Sequence, residues 1–310
     1  MSLKQKEEIT VWVFKDGKKG HEKQTDALVN ALSELKKVFV TEVNINEDWQ
    51  TKLNLSKPAD LLIGAGRKTH SPLLKTKKVL KKSAKTILLM KPNMPAWWFD
   101  LVIAPKFDFF LFPNRENLIR TDGVLAKYSN LDIEKNTGLI VIGGKSRHFH
   151  FRKKVLAHQL EWLINTKYPT IKWDITTSPR SPDLKMPVHK GNAKFYDWKK
   201  TSDNWLSEKI AKAEYTFLTP ESVSTLYESL STKTKTYVFH HEKRSSENGE
   251  IKTKVNKNID RLKKNGQIGF IDTKRYFLSR SVKDIKLSHP SEKYHLNEAT
   301  RVAKEILSRL

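Results

Sequence analysis

Cysteine is absent from this chain of 310 residues. That excludes disulfides, thiolate zinc sites and a cysteine nucleophile together. No stretch approaches the roughly 20 apolar residues that a membrane-spanning helix needs. The opening MSLKQKEEIT is polar and lacks the apolar run of a secretory signal. A cytoplasmic location is therefore expected, with peripheral attachment to the inner membrane face left open. There is no GxGxxG dinucleotide fingerprint, no repeat of solenoid period and no recognisable nucleic-acid motif. Nucleic acid is left with charge alone in its favour.

That charge is large: 58 Lys and Arg against 34 Asp and Glu, a net +24. It fits an anionic partner such as a nucleotide, an anionic membrane surface or an acidic glycolipid. It fits equally a solvated, lysine-rich surface. The cations form no single block; they spread over Lys75–Lys85, Lys194–Lys200 and Lys243–Lys264. With 38% hydrophobic residues the chain can bury a sizeable core.

Short apolar runs alternate with helical patterns. ITVWVF (9–14), VFVTEV (38–43), ADLLIGAG (59–66), TILLM (86–90) and DLVIAP (100–105) read as strands. Helices are expected between them, from Glu22 to Leu35 and from Ser71 to Lys82. The strands are nearly continuous in Val, Ile and Leu, as parallel strands covered on both faces require. After the polar connector LDIEKNTG (131–138) the pattern restarts. LIVIGG (139–144), IKWDIT (171–176), AKFYDW (193–198), YTFL (215–218) and TYVF (236–239) are further strands. Helices are expected over His150–Thr166, Asn204–Ala213, Glu221–Leu230, Lys252–Asn265 and Ser291–Leu310. The alternation predicts an α/β protein of two Rossmann-like, doubly wound domains facing a cleft. The expected divisions are residues 1–135, 136–288 and a terminal helix over 289–310.

In open α/β sheets ligands bind outside the carboxyl ends of strands, so the strand-end loops matter most. KDGKKGHEKQ (15–24) joins the first strand to the first helix. It offers Gly17 and Gly20 for close backbone approach, His21 as a general base, and Asp16 and Gln24 beside it. A glycine-rich turn with a surface histidine accounts for the same loop. IGAGRKTH (63–70) supplies Gly64, Gly66 and Arg67, which suit a phosphate or carboxylate or simply a tight turn. IGGKSRHFHF (142–151) places Gly143, Gly144, Lys145 and Ser146 ahead of an expected helix start, a plausible anion cradle. In TTSPRSP (176–182), Ser178 and Arg180 can reach a phosphate or a base, although the prolines also fit a structural bend.

TPESVSTLYESL (219–230) follows a strand. Thr219 as N-cap and Pro220 at the first helical position explain a helix start without any ligand. They do not explain Ser222, Ser224, Thr225 and Glu228. Hydroxyls near a helix N-terminus can hold a diphosphate, and a carboxylate a turn further on can accept both hydrogen bonds of a ribose diol.

Seven pieces in order, DGKKGHEKQTDALVNAL, ADLLIGAGRKTHSPLL, FDLVIAPKFD, NLIRTDGVLAKYS, LIVIGGKSRHF, TTSPRSP and TPESVSTLYESL, resemble the mitochondrial-fission Elm family over roughly residues 11–239. That family is similar to GT-B glycosyltransferases, including the peptidoglycan lipid-intermediate transferase, and to UDP-N-acetylglucosamine 2-epimerase. The resemblance implies a nucleotide-sugar held mainly by the second domain and a last helix crossing back to the first. It assigns Glu228 to the ribose, and Ser222, Ser224 and Thr225 to the hydroxyl-rich helix start. Gly143 and Gly144 fall to the glycine loop, and His21 to the first-domain histidine. Two departures stand out. Pro220-Glu221 replaces the usual acidic pair before the serine. Phe107-Asp108 replaces a usual His-Asp, leaving Asp108 as a second candidate catalytic residue. The chain has no Asp-x-Asp, which fits a metal-independent reaction without a bound cofactor.

The expected activity is glycosyl transfer from a nucleoside diphosphate sugar to a lipid-linked or cell-envelope acceptor. Two alternatives stand beside it: a nucleotide-sugar epimerase or hydrolase, and a non-catalytic membrane-associated adaptor on the same scaffold. DFFLFPN (108–114) and the basic stretch 71–85 are candidate membrane contacts. Trp97–Phe99 read more readily as core.

Overall fold

The computed structural model describes residues 7–51, 57–80, 83–108, 115–184, 191–246, 249–250, 253–273, 285–291 and 294–310. Contacts divide the chain into two compact units. The first comprises Met1–Tyr128 with Leu296–Leu310, the second Ser129–His295.

The first unit is built on six parallel strands: β1 (Glu8–Lys15), β2 (Lys37–Asn44), β3 (Leu61–Ala65), β4 (Lys85–Leu89), β5 (Leu101–Pro105) and β6 (Leu118–Thr121). They lie in the order β2-β1-β3-β4-β5-β6. The continuous apolar run of β1 has a clear cause. Ile9, Val11 and Val13 face one core, while Trp12 and Phe14 face another on the opposite side of the sheet. The first core is closed by α1 (Lys19–Ser33) through Leu28 and Leu32, and by α7 (Glu298–Arg309) through Val302 and Ile306. On the other side α2 (His70–Leu80) contributes Leu73.

The terminal helix thus returns to the first unit, as the resemblance implies. Its docking is polar as well as apolar. Asn297 caps it by accepting from Thr300 N–H at 3.3 Å, and Glu298 accepts from Asp122 N–H at 2.9 Å. Arg301 donates to the Arg120 carbonyl at 2.8 Å.

In the second unit the sheet order is β15-β14-β11-β10-β7-β8-β9. Its strands are β7 (Glu134–Ile142), β8 (Lys172–Thr177), β9 (Ala193–Tyr196), β10 (Ala213–Leu218), β11 (Lys235–Val238), β14 (Gly269–Asp272) and β15 (Lys286–Ser288). A small ribbon, β12 (Ser245–Ser246) and β13 (Gly249–Glu250), lies outside it. Among the described residues only the β14–β15 pairing in this sheet is antiparallel. The helices are α3 (Lys153–Trp162), α4 (Trp205–Lys212), α5 (Val223–Leu230) and α6 (Lys254–Lys264). Phe217 and Tyr237 stack in the core at 4.5 Å between ring centroids.

Several boundaries differ from the sequence reading. β7 begins at Glu134, inside the expected connector, because its polar first half simply extends beyond the covered core. α1 begins at Lys19 rather than Glu22, which takes Gly20 out of the loop and into the helix. Trp97 and Trp98 are not core. They sit in a 3-10 turn, Ala96–Trp98, at 64% and 45% exposure, and of the three aromatics only Phe99 is buried. The aromatic run 109–112 and Lys81–Lys82 lie outside the described residues. Among the described residues no helix is long and apolar enough to cross a membrane.

Candidate functional site

Each sheet has one point where the chain reverses its direction of travel. In the first unit it lies between β1 and β3; in the second, between β7 and β10. Crevices for ligands open outside the carboxyl ends of strands at such points. The strongest sequence-predicted residues fall at these two places.

At the first point, Asp16 closes β1 and is buried, while His21 sits in the first turn of α1. Nδ1 of His21 is 2.9 Å from Oδ2 of Asp16. A carboxylate only accepts, so Nδ1 carries the proton and Nε2 is left as the basic nitrogen. Asp16 also accepts from Lys18 N–H at 3.1 Å, which fixes the carboxylate. Just after β3, Gly66 meets the ring at Cε1 and Nδ1. A Cβ there would lie 2.3 Å from His21 Cε1, and the backbone has φ +81°, so glycine is required twice over. Asp16, His21 and Gly66 therefore form one assembled group.

The other first-unit candidates do different work. Gly64 leaves room for Thr69 and Leu73. Gln24 is buried and donates back to the Gly20 carbonyl at 3.1 Å. Arg67 is exposed in the 3-10 turn Arg67–Thr69. Asp108 ends the 3-10 turn Lys106–Asp108 after β5. The carboxylate that orients His21 comes from its own loop.

At the second point, Gly143 and Gly144 follow β7. A Cβ on Gly143 would lie 1.8 Å from Glu221 Oε1; one on Gly144 would lie 1.8 Å from the Arg180 carbonyl oxygen. Gly143 N–H donates to Thr219 Oγ at 2.7 Å. Thr219 in turn donates to Glu221 Oε1 at 2.8 Å. Thr219 is therefore not the N-cap of α5. The helix starts at Val223 with Ser222 in the cap position, and the Thr219 hydroxyl ties two strand-end loops together. The Ser181 hydroxyl lies 2.7 Å from the Ile142 carbonyl and 2.6 Å from that of Gly143. It also accepts from Ser178 N–H at 2.8 Å. Nothing in the local pattern of TTSPRSP marks Ser181 for this role.

The glycine loop does not lead straight into a helix. Ser146 accepts from the N–H groups of His148 and Phe149, both at 3.2 Å. Phe149 bridges antiparallel to Lys243, and His150 N–H donates to the Glu242 carbonyl at 2.8 Å. These bonds hold the chain extended, so α3 begins only at Lys153. Lys145 is exposed beside this turn. The helix start nearest the glycines is that of α5, where Ser222 is half-buried, Ser224 exposed and Thr225 half-buried. Glu228, on the next turn, is buried and accepts from Ser207 of α4.

Beside Gly143 begins a pair that local sequence pattern does not reveal. Glu221 Oε2 and His241 Nδ1 are 3.9 Å apart, with side chains 1% and 3% exposed. Glu221 Oε2 and both ring nitrogens of His241 have no hydrogen-bond partner among the described residues. Burial raises the Glu221 pKa, against the pull of the Thr219 hydroxyl, the Gly144 N–H and the Arg180 charge. Burial, helped by the charge of His240, pushes His241 down to about 4. Phe151 packs edge-on against the imidazole at 5.3 Å. No spacing rule links position 221 to 241; only the adjacency of β10 and β11 brings them together.

Two Rossmann-like units of this kind define a GT-B-like fold. The chain is similar to the spinosyn forosaminyltransferase SpnP, with TM-score 0.50 and 10% identity, covering 97% of this chain and 94% of that one. It is similar too to the UDP-GlcNAc 2-epimerase of Methanocaldococcus jannaschii, with TM-score 0.52 and 9% identity over 97% and 99%. At such identities the likeness is one of fold. Residues 19–310 match the mitochondrial fission ELM1 family, and the chain belongs to it. A relative from Rickettsia prowazekii (strain Madrid E), uncharacterized protein RP120, is 24% identical over 297 residues. That alignment covers 75% of this chain and 83% of the relative.

Proposed function

We propose that this protein is a GT-B-type glycosyltransferase that uses a nucleoside diphosphate sugar. The observation that carries the reading is the second unit's switch point. Gly143, without room for a Cβ, lies against the buried Glu221 carboxylate, whose second oxygen and the neighbouring His241 ring nitrogens have no hydrogen-bond partner among the described residues. Each such atom costs about 1–3 kcal/mol while unsatisfied, which fits a site completed by a polar ligand. The diphosphate would pass over the Gly143–Gly144 backbone, whose lack of side chains leaves room for it, to the start of α5, with Lys145, Ser146, Ser178 and Arg180 at the rim. Glu228 would hold the ribose diol.

His21 would supply the base. Its Nε2 takes the proton of the acceptor hydroxyl, whose oxygen forms the new bond to the anomeric carbon. The bond from that carbon to the diphosphate oxygen breaks, and the nucleoside diphosphate leaves with the electron pair. Asp16 stabilises the imidazolium that forms. The likeness to an epimerase fold keeps a nucleotide-sugar epimerase or hydrolase as the second reading, and an acceptor-independent product would favour it.

The test is a thermal-shift panel of UDP, GDP, ADP and CMP with their sugar conjugates, at low and high salt. A salt-resistant shift for one base, lost in Glu228→Ala, is expected. Shifts for every polyanion that vanish with salt mean plain charge binding and sink the proposal. Specific nucleotide binding without turnover, with no loss on His21→Ala, would leave an adaptor.

A further inference from the structure

Residues 61–99 contain no acidic residue and nine cations, Arg67, Lys68, Lys75, Lys77, Lys78, Lys81, Lys82, Lys85 and Lys91. In the fold this stretch begins on β3 and ends at the turn before β5. The C-terminal end of α2 and the Ala96–Trp98 turn therefore lie at the same edge of the first sheet, the amino ends of β4 and β5. Lys77, in the last turn of α2, donates to Asp100 just before β5 at 2.6 Å, and Asp100 also accepts from Thr86 N–H of β4 at 2.8 Å. Asn117 donates to the carbonyls of Ala96 at 2.8 Å and Phe99 at 3.1 Å, which makes the turn a fixed feature.

On this edge Trp97 and Trp98 stand out at 64% and 45% exposure, and Val79 at 64%. The Arg115 guanidinium lies 5.1 Å from the Trp97 ring. Lys75 and Lys78 line the solvent face of α2 beside Val79. Asp100, which borders the turn, is already neutralised by Lys77 and Lys85. Adjacent exposed indoles are costly in water, but suited to the boundary between headgroups and acyl chains. Exposed lysines such as Lys75 and Lys78, on a helix that carries no acidic residue, suit the negative surface of such a membrane.

We propose that this edge of the first unit docks on an anionic phospholipid bilayer, with Trp97 and Trp98 entering the interface and Lys75, Lys78 and Arg115 meeting the headgroups. The Asp16–His21–Gly66 group lies at the carboxyl edge of the same sheet, so docking leaves it uncovered. The inference does not depend on the nucleotide reading.

The experiment is co-sedimentation of the full chain with phosphatidylcholine vesicles, with and without phosphatidylglycerol, at low and high salt. The protein is expected to pellet only with the anionic vesicles. Trp97→Ala/Trp98→Ala should lower partitioning about tenfold or more and remove the fraction that survives high salt. Lys75→Gln/Lys78→Gln should remove the salt-sensitive part. All four side chains are wholly or largely outside the core, so circular dichroism and melting temperature should not move. The proposal fails if the wild-type chain ignores anionic vesicles at low salt, or if the tryptophan pair can be replaced without effect. It fails equally if a short single-stranded RNA binds in the same salt range and the tryptophan variant loses that binding while keeping the vesicles.

Discussion

The two switch points use the same topology and differ in how finished they are. In the first unit the polar groups satisfy one another: Asp16 holds both His21 and the Lys18 N–H, and Gly66 seats the ring. In the second, the Gly143–Thr219–Glu221 chain ends on a carboxylate oxygen and an imidazole that nothing described satisfies. A self-contained dyad needs no ligand to set its geometry. A buried, unpaired pair stores a cost that a ligand can offset. The first group has its geometry set without a ligand, whereas the second would gain more from one.

Glycine substitutions should separate the two most sharply. Gly144→Ala drives a methyl into the Arg180 carbonyl, a backbone atom that cannot swing away. A loss of about 3 kcal/mol in urea unfolding is expected, with loss of nucleotide binding. An unchanged midpoint would mean that the β7 and β8 loops are loosely joined.

Acid titration is next, because the second unit holds a histidine strongly depressed by burial. With His241 at about 4 when folded and about 6.5 when unfolded, the unfolded chain binds the extra proton. Stability is therefore lost as pH falls through that window, by about 2 kcal/mol between pH 7 and pH 5. The raised Glu221 works in the opposite sense, since its contribution is lost as pH rises through its folded pKa. His241→Asn should flatten the acid limb in denaturant unfolding. An acid limb that persists would place the protonation elsewhere.

Gly66→Ala probes the first unit. Its methyl meets a ring that can rotate, and φ +81° adds backbone strain. About 1–2 kcal/mol is expected. The activity loss should exceed the stability loss, because His21 leaves Asp16.

How much of this was legible follows from the range of each interaction. Strand runs such as ITVWVF announced themselves because both faces of β1 are covered. β6 and β15, strands of four and three residues at sheet edges, did not, and nor did the four-residue β14 beside β15. His21 and the Gly143–Gly144 pair could be nominated from local pattern. Asp16 was named only as a neighbour, since a five-residue separation does not reveal which carboxylate an imidazole will choose. Glu221 was taken for a helix-start residue. Its partner lies two strands' worth of chain away, and no periodicity encodes that distance. The start of α5 was misplaced by two residues because Thr219-Pro220 satisfies cap rules so well on its own.

The smallest expected effect bears on Glu228, the one residue whose role in the two accounts of the second unit conflicts. Its carboxylate accepts from Ser207 across the α4–α5 packing. If that contact is its purpose, Glu228 is a structural residue and the ribose assignment falls. Ser207→Ala should cost about 1 kcal/mol in urea unfolding, one hydrogen bond's worth. Removing the hydroxyl leaves the carboxylate in place for a diol, so nucleotide affinity should stay within about threefold of wild type, less than 1 kcal/mol. Glu228→Ala should abolish it. Were Ser207→Ala to abolish binding as fully, the carboxylate would be acting through helix position alone, and the finished and unfinished halves would have to be drawn differently.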